Sequence, residues 1–167
     1  MKIGIFSDIH GNLIALEKVL KDEKDLEEYI ILGDVVNYGP WSNECVQILE
    51  TLNNCTKIIG NHEHYFIKGN CNFNNNLANE FFKVCFESFT ETENIKKYLK
   101  NYSLGNKFCT HTINNQYIYN DTKIKLDKNY LIGHSHSQFE ISNNGYILIN
   151  PGSVGQNRYF INVINYI

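Results

Sequence analysis

The sequence predicts an α/β protein made of one domain, spanning residues 1–167. Two patterns predict this fold class. Short apolar runs alternate with helical patterns early in the chain, and short alternating stretches fill the part after residue 102. Length agrees, because 167 residues can bury one core without additional cross-links. No internal repeat, linker or change of composition divides the chain.

The first half of the chain has the pattern strand, helix, strand, helix, strand. Strands are predicted over 2–6, 29–32 and 57–59, each a short apolar run. Between them, apolar residues recur at the spacing of one helical face, over 13–24 and again over 46–52. This alternation predicts parallel βαβ units.

The second half changes from helices to strands. Helices are predicted over 77–89 and 95–99. After them, Asn-Asn and Asn-Gly turns separate short alternating stretches, a pattern typical of strands. The predicted strands are 107–110, 116–119, 130–132, 139–141, 146–149 and 159–163.

The composition excludes several classes of protein. Apolar residues make up 43% and charged residues 20%, which excludes a disordered chain and a coiled coil. No apolar run approaches the roughly 18 residues of a membrane span, and the first residues have no signal-peptide pattern. A net charge of −3 argues against a stable nucleic-acid complex. We therefore expect a cytoplasmic protein whose five cysteines are reduced, with no membrane association.

Five polar segments each follow an apolar run, and five of the six histidines stand directly after such runs. The segments are 7–12, 33–34, 60–64, 109–112 and 133–136. In an open α/β sheet, ligands bind beyond the carboxyl ends of the strands. So many polar strand ends in a short chain exceed what ordinary turns explain. We therefore expect these side chains to meet at one edge of the fold.

The residue types at these strand ends indicate a metal site. Two aspartates, one asparagine and four histidines are nitrogen and oxygen donors without thiolate, which suits Mn, Fe, Co, Ni or Zn better than Ca or Mg. Seven donors are too many for one ion. Two ions about 3.5–4 Å apart, sharing a carboxylate, form the clamp used for displacement at phosphorus. The donors are Asp8, His10, Asp34, Asn61, His111, His134 and His136. His64 has no such partner and is expected on the surface.

The motifs, in this order, resemble those of the calcineurin-like metallophosphoesterases. The resemblance covers residues 3–160 and includes Asp8-x-His10, Gly33-Asp34, Gly60-Asn61-His62-Glu63, His111 and Gly133-His134-Ser135-His136. The stretches 33–40 and 150–156 are similar to those of its small bacterial and archaeal phosphodiesterase branch. The resemblance implies a four-layer α/β/β/α sandwich of the metallophosphoesterase type, with two mixed β-sheets flanked by helices.

The resemblance also implies roles for the donors and two divalent metal ions, manganese first, with nickel, iron, zinc or cobalt as alternatives. The implied ligands are Asp8, His10 and His136 for one ion, Asn61, His111 and His134 for the other, and Asp34 for both. His62 is implied to protonate the leaving oxygen, so the catalytic group is His62, Asp34 and Asn61. The chain departs from many relatives at Glu63, Thr112, Ser135 and Asn157. None of these is an implied ligand, although Thr112 could alter the loop beside His111.

These observations predict a dinuclear-metal-dependent phosphodiesterase. It would hydrolyse small or nucleotide-like phosphodiesters by in-line attack of a metal-bridging hydroxide. Arginine makes the best clamp for a dianionic monoester, and Arg158 is the only arginine in the chain, which favours a diester. Tyr38 and Trp41 would either offer an aromatic shelf to the substrate or pack the loop after Asp34.

Three alternatives remain open on the sequence. The chain could be a phosphomonoesterase or a dinucleoside-polyphosphate hydrolase of the same superfamily. It could also be a non-catalytic scaffold similar to the retromer subunit, although a scaffold would have no reason to keep His62 together with all the metal donors. The expected partner is a small phosphodiester substrate, and the oligomeric state is left open, with a homodimer among the options.

Overall fold

The first sheet has three parallel strands. The computed structural model describes residues 1–160 and 163–167. The strands lie in the order β1-β2-β3, with β1 at Ile3–Phe6, β2 at Glu28–Ile31 and β3 at Cys55–Lys57. Helices α1 (Leu13–Asp22) and α2 (Ser42–Thr51) connect them. The predicted βαβ pattern is confirmed.

Three further helices follow β3. They are α3 (Asn61–Lys68), α4 (Asn76–Glu87) and α5 (Thr92–Ile95). Helix α4 was predicted within two residues at each end. The helix predicted over 95–99 is wrong, because α5 ends at its first residue; Ile95 and Tyr98 are both buried, so the apolar spacing continues beyond the helix. Helix α3 was not predicted, since its first turn is polar.

The second sheet has five strands and mixes parallel and antiparallel pairs. Its order is β4-β5-β6-β8-β7, where only β5-β6 and β6-β8 are parallel. The strands are β4 (Tyr102–Leu104), β5 (Lys107–Cys109), β6 (Asn129–Leu131), β7 (Gln138–Asn143) and β8 (Tyr146–Pro151). Four of them overlap strands expected from the sequence, and β4 was not predicted.

One of the expected strands is not found, and another lies partly outside the described residues. Residues 116–119 form no strand; their alternation places Ile118 in a cluster with Leu126, Ile132 and Leu148, so this segment covers the sheet instead of pairing with it. For the stretch 159–163, residues 161 and 162 lie outside the described residues, and Tyr159 and Phe160 are exposed and not in a strand.

The two sheets pack face to face. Ile30 and Leu32 contact Cys109 and Leu131 in one buried cluster between the sheets, while the opposite face of the first sheet packs against the helices. The outer face of the second sheet is covered by the loop 113–126, which contains no helix, so a loop takes the place of the fourth layer. The predicted α/β fold class with two central sheets is confirmed.

The end of the chain completes the first sheet. Ile167 and Ile5 exchange both backbone hydrogen bonds, at 2.6 and 3.2 Å, which is the pattern of an antiparallel pair. The tail therefore covers the free edge of β1 and gives this sheet one antiparallel neighbour. Within residues 1–160 and 163–167, no helix has both the length and the apolar character that crossing a membrane requires.

Candidate metal centre

The structure brings the seven predicted donors together at one edge of the two sheets. Asp8 and His10 follow β1, Asp34 follows β2 and Asn61 starts α3 after β3. The three other histidines follow β5 and β6, at the facing edge of the second sheet. Asn61 is half-buried, and each of the six others is at most 9% exposed. Buried polar side chains require partners.

The backbone at this edge is strained. Five of the donors have a left-handed φ between 50° and 71°: Asp8, His10, Asp34, His134 and His136. Residues other than glycine adopt this region at a cost in energy, and such strain is concentrated at functional sites. At Gly33, where φ is +98°, a Cβ atom would lie 2.8 Å from Nδ1 of His111, so only glycine allows the loops to approach this closely.

The first group of donors presents three lone pairs to one point. Nδ1 of His10 donates to the carbonyl of Val36 at 3.2 Å, and Nδ1 of His136 donates to that of Gln156 at 2.8 Å. Both Nε2 atoms are then acceptors, yet they lie 3.0 Å apart. Among the described residues, Oδ1 of Asp8 has no hydrogen-bond partner, and it lies 3.4 Å from Nε2 of His136. A cation is the group that would satisfy all three.

A second group surrounds the carboxylate of Asp34. Nδ1 of His111 donates to the carbonyl of Leu32 at 2.7 Å. Its Nε2 lies 3.1 Å from Oδ1 of Asn61 and 3.2 Å from Oδ2 of Asp34. A ligand atom of His134 lies within 4.8 Å of those of Asp34 and His111. The residues present therefore also fit a second cation beside the first.

The electrostatics of the metal-free site favour the ligating form of several donors. Burial lowers the pKa of His10 well below its usual value and that of His134 to about 4, which keeps both rings neutral. Burial alone would raise the pKa of Asp34, but His111 and other histidines beside it hold that pKa well below its usual range. Burial alone would lower the pKa of His111, but the neighbouring Asp34 raises it to about 10. A protonated His111 thus supplies positive charge next to Asp34.

His62 lies in the first turn of α3, beside the donors. The side-chain amide of Asn37 lies 2.8 Å from its Nδ1, and its Nε2 lies 3.9 Å from Oδ2 of Asp34. The residue is 5% exposed, and burial lowers the pKa of its ring. A ligand atom of His62 also lies within 4.8 Å of those of His10 and Asp34, so distance alone would allow it as a ligand.

Three residues support the site in roles that were not predicted from the sequence. They are Asn37, Glu63 and Tyr117. The carboxylate of Glu63 accepts the N–H of Gly60. Glu63 follows Gly60 by three residues, which is the spacing of a capping box, and this spacing could have revealed the contact. The ring of Tyr117 stacks on that of His134, with centroids 4.0 Å apart; no periodicity of the sequence indicates such a pair.

The aromatic residues of the loop after Asp34 have different positions. The ring of Tyr38 lies 4.9 Å from that of His10, at the site itself. Trp41 is half-buried and lines a cavity of ≈ 250 Å³ together with His10 and Tyr38. His64 is exposed, as expected from the sequence.

Comparisons with known proteins agree with this geometry. Residues 1–161 match the family model of the calcineurin-like phosphoesterases. The chain is 32% identical over 198 residues to an uncharacterized protein of Methanocaldococcus jannaschii, MJ0912, covering 98% of this chain and 80% of that protein. A metallophosphoesterase from Sphaerobacter thermophilus is similar in structure, with a TM-score of 0.80 and 26% identity over 99% of this chain and 82% of that one. The phosphoesterase Yfce from E. coli shares the fold, with a TM-score of 0.61 and 23% identity over 99% and 86% of the two chains. The chain therefore belongs to the calcineurin-like phosphoesterase family.

Proposed function

We propose that this protein hydrolyses small, nucleotide-like phosphodiesters with the help of two divalent metal ions. The observation that carries the proposal is the convergence of three buried atoms with lone pairs: Nε2 of His10, Nε2 of His136 and Oδ1 of Asp8. Burying three lone pairs without donors costs free energy, and a bound cation would compensate for that cost.

Seven side chains would hold the two ions. Asp8, His10 and His136 would hold one, Asn61, His111 and His134 the other, and Asp34 both. Nitrogen and oxygen donors of this kind suit manganese, iron, cobalt, nickel or zinc, and manganese is our first choice. When bound, such a pair of cations lowers the pKa of a coordinated water and neutralises charge on the phosphate.

His62 is proposed as the proton donor to the leaving oxygen. Asn37 holds Nδ1, so Nε2 is the atom that faces the site and Asp34. An alkoxide is a poor leaving group, and general-acid catalysis of this kind contributes about 10²–10⁴ in rate. The imidazolium would give up its Nε2 proton and become a neutral ring that keeps a proton on Nδ1. The side-chain oxygen of Asn37, which has no partner among the described residues, would accept from Nδ1 once the amide is turned.

A diester is preferred over a monoester because the protein offers little fixed positive charge for the second negative charge that a monoester phosphate carries. Two charges on the phosphate are best held by a bidentate arginine. The only arginine, Arg158, is exposed and lies on a groove beyond Tyr38. A monoanionic diester needs no such clamp.

The test is to strip the protein of metal, reload it with Mn, Ni, Zn or Mg, and compare bis(4-nitrophenyl) phosphate with 4-nitrophenyl phosphate. We expect the diester to be turned over faster, with manganese among the activating ions. Equal or faster monoester turnover would reject the diester preference, and no turnover with any ion would reject the hydrolase. In His62→Ala, metal content should be retained while hydrolysis of a diester with an alkoxide leaving group, such as a dinucleoside monophosphate, falls at least about tenfold; unchanged hydrolysis of that diester would contradict the role of His62.

A further inference from the structure

A groove of ≈ 490 Å³ opens beside the metal centre and is called the side groove below. It is lined by Tyr38, Leu77, Ala78, Phe81, Gln156 and Arg158, among others. These residues come from the loop after β2, from α4 and from the segment after β8. None of them is one of the proposed metal ligands, so the side groove is a separate surface that adjoins the reaction site.

Tyr38 is the wall that the metal centre and the side groove share. Its ring centroid lies 4.9 Å from that of His10, 5.0 Å from that of His62 and 5.8 Å from that of Phe81. A leaving group protonated by His62 would therefore extend along Tyr38 into the side groove. The backbone of Tyr38 has a φ of 64°, in the left-handed region that residues other than glycine adopt at a cost in energy.

The side groove offers apolar surface for a ring. Phe81 is 40% exposed and Leu77 is 64% exposed, and both project from the same face of α4, four residues apart. Phe81 packs edge-on against Tyr38, with the two ring planes at 74°. Exposed aromatic and aliphatic side chains beside a reaction site are the usual lining of a small-molecule pocket.

The side groove also offers one cation. Arg158 is exposed and lines the side groove together with Tyr38 and Phe81. Its guanidinium suits a carboxylate or a phosphate.

We propose that the side groove binds the leaving group of the substrate, and that this group combines an aromatic ring with a second anionic group. The ring would lie against Tyr38 and Phe81, and the anion would pair with Arg158. This is the chemistry of a nucleotide, and not of a nucleoside or a simple alcohol. The inference rests on the proposed phosphodiesterase activity, since the leaving group is defined by that reaction.

The test uses two chromogenic diesters that differ only in the charge of the leaving group: methyl 4-nitrophenyl phosphate and methyl 3-carboxy-4-nitrophenyl phosphate. The measured quantity is the ratio of their kcat/KM values, carboxylated over plain. In Arg158→Gln this ratio should fall about tenfold, because a charge-assisted hydrogen bond is lost for one substrate only. Arg158→Lys should keep part of the ratio. In Phe81→Ala, KM should rise about threefold to tenfold for both substrates, since the ring contact is common to them.

The control is Lys83→Gln, which removes an exposed cation from the same helix outside the side groove. Its ratio should equal that of the unmodified protein. An unchanged ratio in Arg158→Gln would overturn the inference, and so would an equal loss for both substrates, which would place Arg158 on the scissile phosphate.

A failure of the proposed activity gives a different result, because neither diester would then be hydrolysed with any metal. In that case binding decides the inference. Tighter binding of adenosine 5′-monophosphate than of adenosine, with the difference lost in Arg158→Gln, would support the side groove as a nucleotide site. Equal binding of the two compounds by the unmodified protein would overturn it.

Discussion

The carboxylate of Glu63 accepts the backbone N–H of Asp34 at 2.9 Å. The same carboxylate accepts the N–H groups of Gly60 at 2.7 Å, Val35 at 2.7 Å and Val36 at 3.2 Å. One fully buried side chain at the start of α3 therefore fixes the loop after β2, which carries Asp34 in its left-handed conformation. The geometry of the proposed bridging ligand depends on a residue that contacts no proposed metal.

Glu63→Gln is expected to destabilise the protein by about 2–3 kcal/mol, because an amide NH₂ would face N–H donors that are left unsatisfied in the core. The measurement is urea unfolding of the metal-free protein, read from the midpoint at unchanged slope. The matched control is Glu80→Gln, on an exposed pair with Lys83, where the loss should stay below about 1 kcal/mol. Equal losses in the two variants would contradict the role given to Glu63.

Metal binding should stabilise the folded protein through the first group of donors. With manganese at about 100 times its Kd, the folded state gains about 2.7 kcal/mol, which corresponds to a rise in Tm of about 5–10 °C for a chain of this length. His136→Ala should lose most of this rise, since it removes one of three converging lone pairs. His64→Ala is the control, because His64 is exposed. A full manganese shift in His136→Ala would exclude His136 as a ligand.

Much of the site could be predicted from the sequence because strand ends are easy to find. Parallel strands place their carboxyl ends at one edge, so polar residues directly after apolar runs were expected to meet. Asp8 and Asp34, 26 residues apart in sequence, lie on neighbouring loops for this reason, and the backbone of Asp8 donates to the carbonyl of Gly33 at 3.0 Å. The left-handed conformation of both aspartates was not predictable, since it arises from those tertiary contacts.

The residues that the sequence did not reveal act through contacts between distant segments. Tyr117 stacks on His134 from a segment whose alternation predicted a strand, because Ile118 is buried in the same way as a strand residue. Asn37 reaches His62 across 25 positions, and no local pattern records such a contact. Periodicity reports burial and not the partner of a polar atom.

Metal binding should release a proton from His111. Its pKa is raised to about 10 by Asp34, so the ring is protonated at pH 7, whereas a metal requires the lone pair of Nε2. Apparent affinity should therefore rise with pH, by up to about tenfold per unit between pH 7 and 9. Calorimetric titration in two buffers of different ionisation enthalpy measures the released protons directly.

The control for this measurement is again His64→Ala, which should release as many protons as the unmodified protein, whereas His111→Gln should release about one fewer. Binding without proton release in the unmodified protein would show that His111 is not the ligand or that it is already neutral.

Asn37 should govern the proton donor without affecting metal content. Its amide lies 2.8 Å from Nδ1 of His62, so Asn37→Ala removes the group that orients the ring, and kcat should fall about tenfold.

Asn37→Asp places a carboxylate at the same atom. An opposite charge stabilises the imidazolium and raises the pKa of His62 against the lowering by burial. A proton donor with a higher pKa stays protonated to higher pH, so the alkaline limb of the pH–kcat profile should move up by about one unit or more. Asn43→Ala, on α2 and away from the site, is the control. If the alkaline limb of Asn37→Asp coincides with that of the unmodified protein while both bind metal equally, His62 is not the proton donor.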